Sequence, residues 1–343
     1  MNFVSDNVTG AAPEILAAIN AGNDGALMPY GNDEVTHAAE AKVARLFDTE
    51  AEVFFVATGT AANALALSAT TPPWGVIFCH GGAHIFDTEG AAPEFFSGGA
   101  KLIALTGEDG KIAAAEIEAA IADAGVGNVH HAQPACVSIT QATETGAVYS
   151  LDEVKAISKV CKTHGLKLHM DGARFANAVA ALGCSVADIT WKVGVDLLSF
   201  GATKNGALTA EAVVIFDTGL ARDFGYRRKR GGHLFSKMRF LSVQWDAYVT
   251  DDLWLRNAGH ANAMAGRLAE GLSQIDGAGI TRPVEANIVF PELPRPVIDG
   301  LKADGYLFYE RGGENVIRLV YSFATTEQDI DGLIAAVKRH AGA

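Results

Sequence analysis

Between about residue 35 and residue 216 the chain alternates stretches of helical period with short apolar runs bounded by Gly, Thr, Pro or Asp. Parallel strands need a long crossover between them, usually a helix. The alternation therefore predicts an α/β fold with a mostly parallel sheet covered on both faces. Candidate strands are 74–78, 101–105, 136–140, 166–170, 195–200 and 212–216. The clearest helix is 151–164. Ser150 and Glu153 stand at capping-box spacing, Leu151, Val154, Ile157 and Cys161 form one apolar stripe, and Gly165 supplies the stop. Val35, Ala39, Val43 and Leu46 share another helical face, with Asn32 or Asp33 as its cap. From about Ser242 the pattern changes to a long helix (Ala261, Met264, Leu268, Leu272, Ile275), short strands near 287–290, 306–309 and 316–321, and a final helix near 326–340. The expected organisation is a large domain over 1–245, with an N-terminal arm, and a smaller C-terminal α+β domain over 246–343, joined through a helix.

Charge narrows the function. Twenty-seven Lys and Arg against 40 Asp and Glu leave a formal charge of −13, which disfavours a broad nucleic-acid or anionic-membrane surface. Cys79, Cys136, Cys161 and Cys184 are widely spaced, with no CxxC, so neither a metal site nor a disulfide framework is indicated. The stretch 53–86 holds no Asp, Glu, Lys or Arg, yet Gly59, Asn63, Pro72 and Pro73 interrupt any membrane-length apolar run. It reads as the buried centre of a soluble protein. No basic segment precedes an apolar core at the start of the chain, and a cytoplasmic location is expected.

Three motifs carry chemistry. Thr58-Gly59-Thr60 follows the apolar run 53–56 and opens a helix-compatible segment, so its backbone N–H groups and the helix dipole suit a phosphate, although an ordinary helix cap has the same look. There is no GxxxxGK[ST] and no GxGxxG turn, so nucleotide binding by those routes has no support. Lys204 sits in a glycine-flanked loop directly after the strand 195–198. Apolar strands on either side would desolvate it and favour the neutral amine that attacks an aldehyde; the bland alternative is a solvated loop lysine. Asp171 stands at the carboxyl end of the strand 166–170, the edge where open α/β sheets bind ligands. Together the three match what a pyridoxal phosphate enzyme requires: a carboxylate for the pyridine nitrogen, a lysine for the Schiff base and a helix N-terminus for the phosphate. His84, after the strand 74–78, would reach the same edge, where its ring can stack on a cofactor and move protons. Arg174 stands three residues after Asp171, and Arg318 is embedded in the apolar run 316–320, where an arginine is costly unless it meets an anion. That anion is either a substrate carboxylate or a structural Asp or Glu. The run Arg227-Arg228-Lys229-Arg230 is a solvated loop or a contact to a phosphate on a neighbouring subunit.

In this order the residues resemble the L-threonine aldolases of the fold-type I pyridoxal phosphate enzymes. The likeness runs from Phe3-Val4-Ser5-Asp6-Asn7 through Tyr30-Gly31-Asn32-Asp33, Thr58-Gly59-Thr60, Ala83-His84 with Glu89, Met170-Asp171-Gly172-Ala173-Arg174 and Thr203-Lys204 to Ile317-Arg318-Leu319-Val320. The resemblance implies an aspartate aminotransferase-like large domain with pyridoxal 5'-phosphate as cofactor. Lys204 would form the Schiff base, Asp171 would pair with the ring nitrogen and His84 would stack on the ring. Gly59 and Thr60 would hold the phosphate, with Arg174 near the cofactor and Arg230 reaching a neighbour's phosphate. Ser5, Tyr30, Arg174 and Arg318 would bind the substrate, and His130 would be the second active-site histidine, in competition with His131. The run Ser138-Ile139-Thr140-Gln141-Ala142 departs from the Glu-Asn-Thr of many members. The activity implied is retro-aldol cleavage of L-threonine, L-allo-threonine or a related β-hydroxy-α-amino acid to glycine and an aldehyde, by a homo-oligomer, a dimer of dimers with shared sites. The alternatives are a β-eliminating lyase or aminotransferase of the same fold type, and a non-catalytic small-molecule binding protein on the same scaffold.

Overall fold

The computed structural model describes residues 1–342. Its centre is a seven-stranded sheet in the order β1-β7-β6-β5-β4-β2-β3, formed by β1 (Glu52–Val56), β2 (Gly75–His80), β3 (Lys101–Leu105), β4 (Gln133–Thr140), β5 (Lys167–Gly172), β6 (Leu197–Gly201) and β7 (Glu211–Ile215). All pairings from β6 across to β3 are parallel, and β7 alone runs against its neighbours. The reason is chain length. The short stretch 202–210 cannot make a crossover, so the chain turns back beside β6. Strands β6 and β7 are buried at every position, as expected where both faces are covered.

The capping box on Ser150 and Glu153 forms as read, over helix Leu151–His164, and Gly165 ends it in the left-handed region. Asp33, not Asn32, caps helix Glu34–Arg45, accepting from the Thr36 N–H at 2.8 Å. Helix Gly59–Thr70 is buried along most of its length and lies against the sheet.

A second apolar core is built from Met264, Leu268, Val297, Ile317, Leu333 and their neighbours, and Phe3 packs into it. Its sheet has three strands, with Ile317–Val320 between Tyr309–Glu310 and Ile288–Val289. The helix Leu253–Leu272 serves both cores: Leu253, Trp254 and Ala258 pack with the large sheet, Met264 onward with the second cluster. A helix over Arg295–Ala303, absent from the elements read in the sequence, carries Pro296 in its first turn, where Pro is well placed. No helix among the described residues is long and apolar enough to cross a membrane.

Candidate active site

The carboxyl ends of β2, β4, β5 and β6 deliver their loops to one edge of the sheet, beside the N-terminus of helix Gly59–Thr70. A cavity of about 300 Å³ opens there, lined by Thr58, Gly59, Thr60, Asn63, His84, Glu144, Asp171, Lys204 and Glu211 among others. Thr58 spends its side chain on the Ala61 N–H (3.2 Å), whereas the amides of Gly59 and Thr60 find no acceptor among the described residues. Space beside Gly59 is open.

Asp171, the penultimate residue of β5, is buried. One carboxylate oxygen accepts from the Ala173 N–H (3.0 Å) and the other from Asn63 Nδ2 (3.0 Å). Burial pushes its carboxyl up, and the nearby Lys204 ammonium opposes that. Asn63 Nδ2 also donates to Glu89 Oε1 (2.8 Å), and the same oxygen accepts from His84 Nδ1 (2.8 Å). The hydrogen bond to Glu89 raises the His84 pKa above its ordinary value against the effect of burial. A chain of contacts thus runs His84–Glu89–Asn63–Asp171, locking the histidine by one nitrogen and leaving Nε2 for the cavity. Lys204 lies in the turn after β6 and makes no hydrogen bond or ion pair among the described residues.

Beneath this edge, two residues before Asp171 on the same face of β5, His169 bridges Ser138 on β4 (2.8 Å) and Ser199 on β6 (2.9 Å). Burial lowers its pKa to about 3, so the ring is neutral and each nitrogen has a hydroxyl partner.

The arginines divide. Arg174 takes the structural ion pair: Nε and Nη2 donate to Asp6 at 2.7 and 2.9 Å, both residues being buried. Arg318 has no carboxylate partner among the described residues. Burial and the neighbouring Arg174 lower its pKa to about 10, against the opposing effect of Glu144 and Asp6 nearby.

Several of the expected site residues do not line the cavity of the single chain, Arg174 and Arg318 among them. His130 and His131 precede β4, at the amino end of that strand, and His130 is exposed on the opposite edge of the sheet from Asp171. Tyr30 is exposed, with φ +62° and its ring under Lys229 Nζ (4.6 Å), and it does not line the cavity. Arg230 lines a different recess with Phe95 and Tyr226, beside the C-terminal half of helix Gly59–Thr70. Ser5 caps the turn Asp6–Val8, and Asn7 lines the cavity in its place. Sequence reasoning gave no role to Asn63, Glu144 and Glu211. Asn63 had a signal, being the one amide in an otherwise Ala- and Leu-rich buried helix.

The beta-eliminating lyase family model matches residues 2–294. Over 341 residues, 99% of the chain and 98% of the relative, the sequence is 46% identical to a low specificity L-threonine aldolase of Pseudomonas aeruginosa. The chain belongs to the beta-eliminating lyase family, among its threonine aldolases. A second relative of the same description, from a Pseudomonas sp., is 45% identical over 98% of this chain and 96% of its own. Of solved structures, a threonine aldolase of Leishmania major superposes with a TM-score of 0.93 at 31% identity, covering 99% of each chain.

Members of this family depend on pyridoxal 5'-phosphate, and the residues fit it. The cavity joins an unpaired lysine, a buried carboxylate fixed by two donors, a histidine held by one nitrogen, and two free amides at a helix N-terminus.

Proposed function

We propose that this chain cleaves L-threonine, L-allo-threonine or a related β-hydroxy-α-amino acid to glycine and an aldehyde. The observation that carries the reading is the convergence of Lys204, Asp171 and His84 in one cavity, in a chain that matches threonine aldolases along its whole length. When bound, the cofactor supplies an electron sink next to the substrate Cα. Lys204 is the amine that would hold it. Asp171, fixed by Asn63 and the Ala173 amide, keeps a proton on the ring nitrogen. Gly59 and Thr60 would bind the phosphate through their free amides, and His84 would cover the ring with Nε2 free for proton transfer. Arg318, with the edge of Arg174 not used by Asp6, binds the substrate carboxylate, and Ser5 supports that corner through its contact with Asp6 (3.4 Å).

Substituting Lys204→Ala is expected to abolish turnover while leaving the thermal unfolding midpoint of the cofactor-free protein near that of the parent. Near-normal aldehyde release would overturn the reading. The family description favours one second reading, β-elimination, which would give pyruvate and ammonia in place of glycine.

The working form is a homo-oligomer, a dimer of dimers in the cytoplasm. Tyr30, His130 and Arg230 are exposed and lie outside the chain's own cavity, and strongly exposed apolar residues accompany them: Met28, Val129 at 94% and Tyr226 at 78%. These are the positions through which a neighbouring copy would complete the site. The large unit spans 1–245 and the smaller one 246–343, with Phe3 of the N-terminal arm reaching across to the second core.

A further inference from the structure

Two carboxylates in the cavity, Glu144 and Glu211, have no task in the roles above. Glu144 lines it with Lys204, His84 and Asp171. It stands just past the end of β4, at the same edge of the sheet as Asp171 on the adjacent β5.

The turn that carries it is clamped from both sides. The Thr143 N–H donates to the Ala147 carbonyl and the Gly146 N–H to the Thr143 carbonyl, both at 2.9 Å. The hydroxyls of Thr143 and Thr145 both donate to the Asp109 carbonyl, at 2.8 and 2.7 Å. Gly146 has φ +86°, and a Cβ there would stand 3.0 Å from Ile288 of the three-stranded sheet. With both flanking threonines spent on Asp109, Glu144 alone is left to face the cavity.

The other acids of the cavity are committed. Asp171 serves Asn63 and the Ala173 amide, Glu89 serves His84 and Asn63, and burial raises Glu211 to about 7, towards its neutral form. Glu144 has no hydrogen-bond or ion-pair partner among the described residues. Burial would raise its carboxyl, but Arg174, Lys204, His84 and Arg318 outweigh that and hold it below the usual range. It is therefore an ionised acceptor, flanked by the groups assigned to the substrate's carboxylate (Arg318, Arg174), its amine (Lys204) and its hydroxyl side (His84).

We propose that Glu144 accepts the proton of the substrate β-hydroxyl, an inference that rests on the aldolase reading. The O–H bond breaks and its proton passes to a Glu144 carboxylate oxygen. The oxygen's electron pair becomes the second bond of the aldehyde carbonyl. The Cα–Cβ bond breaks and its pair stays with Cα, where the cofactor would supply the electron sink; Cα then takes up one proton to complete glycine. One proton leaves oxygen, one arrives at carbon, and no oxidant or reductant is consumed. The opposing reading is that Glu144 only balances the charge of Arg174 and Arg318.

The test uses the holoenzyme with Glu144→Gln, which keeps the shape and removes the acceptor charge. The expected result is a fall in kcat for L-threonine cleavage of about 10²- to 10³-fold, with KM changed by less than about threefold. Exchange of the glycine α-proton with deuterated water, followed by NMR, needs no β-hydroxyl and should stay within about threefold of the parent. Cofactor affinity by fluorescence titration and the thermal midpoint should not move, and Glu144→Asp should recover part of the cleavage rate. Cleavage within about threefold of the parent, or cleavage and exchange falling together, would overturn the proposal in favour of charge balance. A parent protein that exchanges glycine but releases no aldehyde from any β-hydroxy-α-amino acid would instead defeat the aldolase reading itself.

Discussion

Asn63 shows how a site is made from side chains that are ordinary in isolation. Its single amide nitrogen donates to both Glu89 and Asp171, so two buried carboxylates stand near one another without a cation between them. Burial raises the carboxyl of each, and the coulombic effect of Asp171 adds to the rise at Glu89. Glu211, at the start of β7 and in the same cavity, is pushed up to about 7 by burial. Such a group favours folding in its neutral form. Its stabilisation is complete below the unfolded carboxyl range, near 4.5, and is lost as pH rises through about 7. Glu211→Gln, neutral at every pH, is therefore expected to raise the unfolding midpoint of the cofactor-free protein at pH 8 relative to the parent and to change it little at pH 4. A parallel offset at both pH values, read by calorimetry, would show that the buried charge is not the cause. Lys204, Asp171, His84, Gly59 and Thr60 were all legible as site residues from type and position. Asn63, Glu144 and Glu211 were not, because what gives each its role is the set of neighbours that folding brings.

At the scale of elements, most of the large sheet was readable. Strand β3 falls on 101–105 and helix Leu151–His164 on 151–164 as the pattern predicts, since capping, period and the Gly165 stop are local properties. Strands β4 and β5 extend beyond their apolar runs, to Gln133 and Gly172, because ladder hydrogen bonds continue past the last apolar side chain. The reversal of β7 and the place of β1 at its outer side were not legible, for they depend on which edges remain free once the parallel strands have assembled. The ends of β5 and β6 are held together at Gly201. A Cβ there would lie 2.8 to 3.0 Å from the backbone of Ala173, an overlap that no rotamer change relieves. Gly201→Ala is expected to cost about 1–3 kcal/mol in denaturant unfolding. By separating the loops that carry Asp171 and Lys204, it should also lower kcat in a steady-state aldehyde assay. Unchanged stability together with unchanged kcat would mean that the two loops are not set by this contact.

In the molecule as a whole, one buried ion pair fastens three distant parts of the chain. Asp6, near the start, accepts from Arg174 beyond β5 and from Asn287 Nδ2 (3.1 Å) beside the second core. Burial opposes ionisation of Asp6, but the Arg174 guanidinium holds its carboxyl below the usual range. Removing one member of such a pair strands the other charge, so Asp6→Asn is expected to destabilise the protein by about 3–5 kcal/mol, measured by chemical unfolding. A loss below about 1 kcal/mol would show that water relieves Arg174. Sequence alone determined the α/β class, the strand and helix that present Asp171, the lysine loop and the family likeness, because apolar period, caps and turn residues act over a few neighbouring positions. Only the tertiary structure decided that Arg174 is spent on Asp6 while Arg318 stays free, that His130, Tyr30 and Arg230 lie outside the chain's own cavity, and that Glu144 stands inside it. Each of those outcomes turns on which charges meet in a low-dielectric interior, and residues far apart in the chain meet only once the sheet has closed over them.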